Sequence, residues 1–301
     1  MMYRLGDSGD FSADIPTATN AGDYSVWYYV KGDENHSDTD PVEVKITIAK
    51  ATPAYTVPTD LTATYGDTLA DVTLTSGWAW DDDTASVGNV GSNTFSATFN
   101  PDDTDNYNTV TENLTVTVSA RDITDAVIIL DGSLTYTGQE QTQEIASVTV
   151  DGLAVTYTVT GNTGTDAGDY TLTVTGTGNF TGTATKEWSI AKAIYTGTTG
   201  VSGTVLANYS GEVTLPAIPA GASYGTLSTT DDLTGLSIEG SVLHYTGGSD
   251  ITEGQEYKIT VPVDGGKNYN NYDITVTLTG TIKQPQTVTI SGQPDSVVYG
   301  D

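Results

Sequence analysis

Along these 301 residues an aromatic-glycine turn near a strand start recurs at four places spaced about one repeat apart. The copies are Tyr65-Gly66-Asp67, Tyr136-Thr137-Gly138, Tyr209-Ser210-Gly211 and Tyr299-Gly300-Asp301. Their separation is close to the length of one small β-domain, which marks a repeat architecture in which each unit closes its own core. A second signature recurs between them, an alternating run that ends on a cation: Ile46-Thr47-Ile48-Ala49-Lys50, Val116-Thr117-Val118-Ser119-Ala120-Arg121, Trp188-Ser189-Ile190-Ala191-Lys192 and Leu278-Thr279-Gly280-Thr281-Ile282-Lys283. These runs set the boundaries. Modules are expected over 51–120, 121–192 and 193–283, with 1–50 the C-terminal part of a truncated module and 284–301 the opening strand of another.

Within each module the apolar period is two. Tyr170, Leu172 and Val174 alternate with threonines, as do Ile274, Val276 and Leu278, so one face of each strand meets a core and the other meets water. Leu114, Val116 and Val118 repeat this in one unit, and Val44, Ile46 and Ile48 in another. No stretch has helical periodicity. Turn chemistry recurs at short intervals, as at Asp131-Gly132, Asp151-Gly152 and Gly178-Asn179, so the expected class is all-β, with antiparallel sandwiches. Short links such as Lys50-Ala51-Thr52-Pro53 leave little slack, and modules of about 30 Å placed end to end give an elongated rod on the order of 100 Å.

Charge narrows the partners. There are 39 acidic and 10 basic side chains, a net charge of −29, which opposes nucleic acid and anionic lipid surfaces. Charged residues are only 16% of the chain, below the roughly 25% of an average soluble protein, so hydroxyls, amides and glycine carry the polar surface. Cysteine is absent and both methionines, Met1 and Met2, stand at the start; a chain without oxidisable sulfur in its repeats suits an exposed, oxidising location. Met1 to Pro16 contains no apolar segment of signal-peptide length, so an export signal and anchor are expected outside this stretch.

The turns Asn20-Ala21-Gly22-Asp23-Tyr24 and Asp166-Ala167-Gly168-Asp169-Tyr170, with the variant Thr252 to Tyr257, resemble those of MBG-type and related immunoglobulin-like repeats of large bacterial surface and secreted proteins. Tyr65-Gly66-Asp67-Thr68-Leu69, Gly77-Trp78-Ala79-Trp80, Asn106-Tyr107-Asn108 and Gly178-Asn179-Phe180-Thr181-Gly182 extend the resemblance over nearly the whole chain. It implies small Ig-like sandwich modules with a structural or adhesive role at the bacterial cell surface, 193–283 being a longer, divergent subtype. Tyr24, Phe95, Tyr170 and Tyr257 are expected to open corresponding strands, the tyrosines acting as tyrosine corners.

Chemistry-bearing candidates are few. Gly221-Ala222-Ser223-Tyr224-Gly225 matches the nucleophile-elbow letters, with Asp231 and His244 following. That elbow needs a strand-to-helix turn, and a glycine-rich β-turn explains the same residues, so no catalytic residue is assigned. Asp81, Asp82, Asp83, Asp102, Asp103 and Asp105 offer the hard oxygen ligands of calcium, but Asn108 stands where a calcium loop starting at Asp103 needs glycine. Solvated acidic loops and calcium sites both remain open there. Trp27, Tyr29, Trp78 and Trp80 are candidate platforms for a glycan or a host protein, against a role in core or inter-module packing. Expected partners are neighbouring modules of the same chain and, beyond them, host glycans or proteins, without nucleic acid or direct membrane contact.

Overall fold

The computed structural model describes residues 1–283; the expected opening strand over 284–301 lies outside the described residues. Strands are its regular elements, apart from one 3-10 turn at Leu69–Asp71. By compactness the chain divides into two units, Met1–Ile128 with Ser147–Val159 and Val174–Ala184, and Ile129–Ala146 with Thr160–Thr173 and Thr185–Asp301. The dividing lines fall inside strands of segment 121–192, such as Gly168–Gly176 and Thr183–Ala191.

In the first unit, Met2–Leu5, Gly22–Tyr29 and Val42–Ile48 form an antiparallel three-stranded sheet in chain order. A four-stranded sheet follows. Its opening strand, Leu61–Thr64, runs parallel to the closing strand Val110–Ser119, which pairs antiparallel with Gly91–Phe99, and that strand pairs with Trp78–Trp80. The period-two pattern decides which face is dry. Leu114, Val116 and Val118 are 1%, 0% and 2% exposed and pack with Leu69, Val72 and Val87, while Thr115 and Thr117 between them face water. Each such fully buried aliphatic side chain contributes about 1.5–3 kcal/mol.

Register allows a residue-by-residue comparison with the first sheet. Gly22 pairs with Ile48 and Gly91 with Val118, so Val44 and Ile46 occupy the places of Leu114 and Val116. Those two are 42% and 47% exposed. The same alternation thus produces a buried face where a covering layer exists and an open apolar face over residues 42–48.

The register also corrects one expectation. Tyr24 and Tyr170 stand two residues after Gly22 and Gly168, and their hydroxyls donate to the carbonyls four residues back, Asn20 at 2.8 Å and Asp166 at 2.7 Å. Two residues after Gly91 comes Asn93, not Phe95, and the Asn93 amide donates to the Asn89 carbonyl, again four back, at 2.7 Å. Phe95 instead pairs with Leu114 and packs against the core. Aromatic identity misled the alignment because the backbone turn needs a donor of the right reach, and a side-chain amide serves. In the variant turn, the Tyr257 hydroxyl accepts the Thr252 N–H at 2.7 Å.

In the second unit, Gly200–Leu206 runs parallel to Tyr272–Thr281 over seven paired positions, and Tyr272–Thr281 pairs antiparallel with Glu256–Asp264. Facing them is the sheet Ser210–Thr214, Val242–Gly247, Leu233–Glu239. Leu243 and Tyr245 of this sheet share one core with Ile259, Val261, Ile274 and Val276 of the other, so the two sheets form a two-layer sandwich. Earlier in the unit, Leu134–Thr135 pairs in parallel with Ile190–Ala191. At three places along the chain, therefore, an earlier strand lies parallel to a later one that ends near a cation, and the architecture is all-β and Ig-like. Among the described residues no helix is long and apolar enough to cross a membrane.

Matched positions give a direct test. Leu114→Ala is expected to cost about 2–5 kcal/mol, and Val44→Ala less than about 0.5 kcal/mol, by urea unfolding of the full chain. Equal losses would contradict the assignment of dry and open faces.

Candidate functional site: the contacts at the repeat joints

Two copies of the aromatic-glycine turn, at Tyr65 and Tyr136, meet residues far along the chain. At Tyr65-Gly66-Asp67, the Tyr65 carbonyl accepts the Arg121 Nε–H at 2.6 Å and the Asp67 carboxylate accepts the guanidinium at 2.6 Å. The third arm of Arg121 reaches Asp151 at 2.7 Å. Tyr65 meets Phe180 edge-on, with ring centroids 5.3 Å apart. Gly66 has φ +95°, and a Cβ built there would collide with the Leu153 side chain. Glycine is thus favoured by the backbone conformation, and a Cβ there would also displace the end of the Leu153 side chain. The Arg121 side chain is only 20% exposed and Asp67 26%, and a planar, partly desolvated fork with two carboxylates and a carbonyl is a strong, directional clamp.

A shared backbone pattern accompanies each joint. Ala51 donates to the Asn106 carbonyl and receives Asn108 N–H, both at 2.9 Å; Ala193 does the same with Asn268 and Asn270, also at 2.9 Å. Arg121 N–H donates to Asn179 at 3.0 Å, and Arg121 pairs in parallel with Phe180. The lysines that end two of the closing strands then find acceptors in the following loops. Lys50 Nζ donates to the Thr104 carbonyl and Lys192 Nζ to the Gly266 carbonyl, each at 2.6 Å. At the last joint, Tyr136 lies edge-on to Tyr269 at 5.4 Å, and Tyr195 stacks on Tyr272 at 4.5 Å. The cations and the runs Asn106-Tyr107-Asn108 and Asn179-Phe180 carry no role in the sequence alone; the missed member is Asn268-Tyr269-Asn270, and recurrence at matched offsets is the signal that marks it.

The residues singled out beforehand lie elsewhere. Trp78 is 8% exposed in the core of 51–120, donates its indole N–H to the Thr56 carbonyl at 3.0 Å, and packs against Tyr55 and Phe99. Trp80, half-buried, shares that face and donates to the Val72 carbonyl at 3.0 Å. Their place is inside one repeat and not at its end. Trp27 and Tyr29 are half-buried on the first sheet, Trp27 bonded to Asp7 at 3.1 Å with the Arg4 guanidinium 5.7 Å from its ring, and Tyr29 edge-on to Phe11.

The six aspartates proposed for calcium are all exposed. Asp81 accepts from Ser96 and Thr98, Asp82 from Thr84, and Asp103 from Asn106. Hydroxyl donation from Ser96 and Thr98 holds the Asp81 carboxyl below the usual carboxylate range, and Asn106 does so for Asp103. The Asp83 carbonyl accepts Ala70 N–H. Asp102 and Asp105 belong to the same exposed loop as Asp103. Among the described residues, no three His, Asp or Glu side chains converge to hold a metal ion. Ser223 lies in a two-residue strand paired with Asp264, whereas His244 lies in the other sheet opposite Glu212, and Asp231 accepts Lys258 N–H. No strand-to-helix turn carries Ser223, so the elbow letters belong to a β-turn.

No protein-family model matches the chain, and no curated protein matches it. Among solved structures, a three-Ig fragment of titin is 13% identical, with a TM-score of 0.31, over 74% of this chain and 96% of that one. Domains 1–6 of the surface layer protein SbsC are 14% identical, with a TM-score of 0.24, over 94% of this chain and 50% of that one. An endo-fucoidan hydrolase of glycoside hydrolase family 107 is 12% identical, with a TM-score of 0.23, over 70% of this chain and 38% of its own length. At these values the likenesses concern β-domain architecture alone, and the fold assignment rests on the strand topology.

One joint titrates. Lys267 Nζ lies 2.8 Å from Asp166; the hydrogen bond from Lys267, followed by that from Asn268, lowers the Asp166 carboxyl, and the same Lys267 bond raises the ammonium. A depressed acid contributes stability that is present above its unfolded value, about 3.9, and is lost as pH falls through the folded value. A raised lysine contributes below about 10.4 and loses its share as pH rises through its folded value. NMR titration should therefore show the shifts around Ala167 and Asn268 steady between these limits and moving in acid below about pH 4. Movement centred near neutrality would contradict the pair.

Proposed function

We propose that this chain is a non-catalytic spacer or adhesion repeat region of a bacterial cell-surface or secreted protein, extending or multiply displaying a functional part. The observation that carries the reading is the use of the chain's most repeated motif, Tyr65-Gly66-Asp67 and its counterpart at Tyr136, as the surface that receives the following repeat. A motif whose copies recur at joints and at no reaction centre serves spacing. Joints in which a partly buried guanidinium, paired rings and lysine-to-carbonyl bonds act together resist bending more than a flexible tether does.

A glycan- or protein-binding role has one specific observation in its favour, the clustering of Trp27, Tyr29 and Phe11 with Arg4 and Asp7 on the first sheet. A glycan array with the full chain decides whether that cluster binds sugars.

Small-angle scattering tests the spacer reading. An extended array about 100 Å long has a radius of gyration of about 30 Å, against about 19 Å for a single globule of this length. A value near the smaller figure would overturn the proposal.

A further inference from the structure

Each joint holds one more contact, made by a side chain and not by the backbone pattern already described. The Asn106 Oδ1 accepts the Ala21 N–H at 2.7 Å, Asn179 Oδ1 accepts Val90 N–H at 3.0 Å, and Asn268 Oδ1 accepts Ala167 N–H at 2.8 Å. These are three copies of one geometry, since every donor is the residue before a glycine with positive φ, Gly22 at +151°, Gly91 at +128° and Gly168 at +149°. That backbone conformation turns the preceding N–H out of the ladder and presents it at the end of the repeat, where it needs an acceptor from outside. Ala167 is 4% exposed, so its N–H is the one with least access to water.

We infer that the Asn-aromatic loop of each repeat is a recognition element whose partner is the amide before the positive-φ glycine turn of the preceding repeat. The second amide hydrogen-bonding group of the asparagine reads the neighbourhood of that turn. Asn268 Nδ2 donates to Asp166 at 3.1 Å and Asn179 Nδ2 to Asn89 at 3.0 Å, Asp166 and Asn89 being the residues just before the presented amides. Asn106 Nδ2 instead donates to Asp103 of its own loop at 2.8 Å.

Segment 193–283 supplies the loop, through Asn268. At its own turn the residue before the positive-φ Gly254 is Glu253, and the amides on either side are held within the segment, Thr252 N–H by the Tyr257 hydroxyl at 2.7 Å and Gly254 N–H by the Gly280 carbonyl at 2.9 Å. Its terminal cation also turns inward, Lys283 lying 3.8 Å over the Tyr209 ring.

Amide hydrogen exchange by NMR on the full chain tests the inference separately from the spacer reading, because it reports on single amides whatever the shape of the chain. In Asn106→Ala, Asn179→Ala and Asn268→Ala the expected result is about tenfold faster exchange at Ala21, Val90 and Ala167 respectively, with Leu172 and Val116 in the cores unchanged. Asn179→Asp keeps the acceptor oxygen, and Asn89 can turn its amide to donate to it, so protection at Val90 should return. Unchanged protection in the alanine variants would overturn the inference. So would equal loss in Asn179→Ala and Asn179→Asp, which also covers the case in which the alanine variants lose core protection throughout.

Discussion

Everything in this structure depends on an unpaired backbone edge being turned to use. A repeat can bury the alternating face of its closing strand against its own second layer, as Leu114 and Val116 do, but the ends of a sandwich leave N–H and carbonyl groups that no internal strand reaches. Here the acceptors and donors come from the adjoining repeat. Tyr65 O, Thr104 O and Gly266 O each accept a cation that terminates a closing strand. Free energy of order 1.5–3 kcal/mol is typical of a hydrogen bond to a charged group, so the Arg121 fork outweighs the exposed Lys267–Asp166 pair, whose partners are 66% and 45% exposed and largely screened.

The same sequence pattern means different things in different places, and that governs what could be read in advance. Alternation with threonine identified the strands and the all-β class, because period two is local. It could not say whether Val44 and Ile46 are covered, since burial depends on a layer contributed from elsewhere in sequence. The closing cations were visible as a recurrent letter, yet their acceptors lie 54 and 74 residues away, beyond any local argument. Asn93 shows the opposite failure. Searching for an aromatic at the corner selected Phe95, whereas the backbone asks for a donor that reaches four residues back, which an amide satisfies as well as a phenol.

The tryptophans illustrate how one run of residues admits two readings. A Trp-x-Trp run on a strand invites a sugar-binding reading, but both indoles find carbonyl partners within 51–120, at Thr56 and Val72, and a ring with its polar edge satisfied at a core is a packing element. The acidic loops follow the same logic. Carboxylates such as Asp81 and Asp82 accept from nearby hydroxyls and amides, so the large negative charge is distributed over turns that cap themselves.

The central claim is that the turn at Tyr65-Gly66-Asp67, clamped by Arg121, fixes one repeat against the next. Absence of cysteine makes spin labelling straightforward: Thr115→Cys and Thr158→Cys place labels on exposed strand positions of 51–120 and 121–192. Pulsed dipolar spectroscopy should give one narrow distance population in the otherwise native chain and a broadened one when Arg121→Ala is added. A distribution already broad with Arg121 in place, or one unmoved by its removal, would contradict the account.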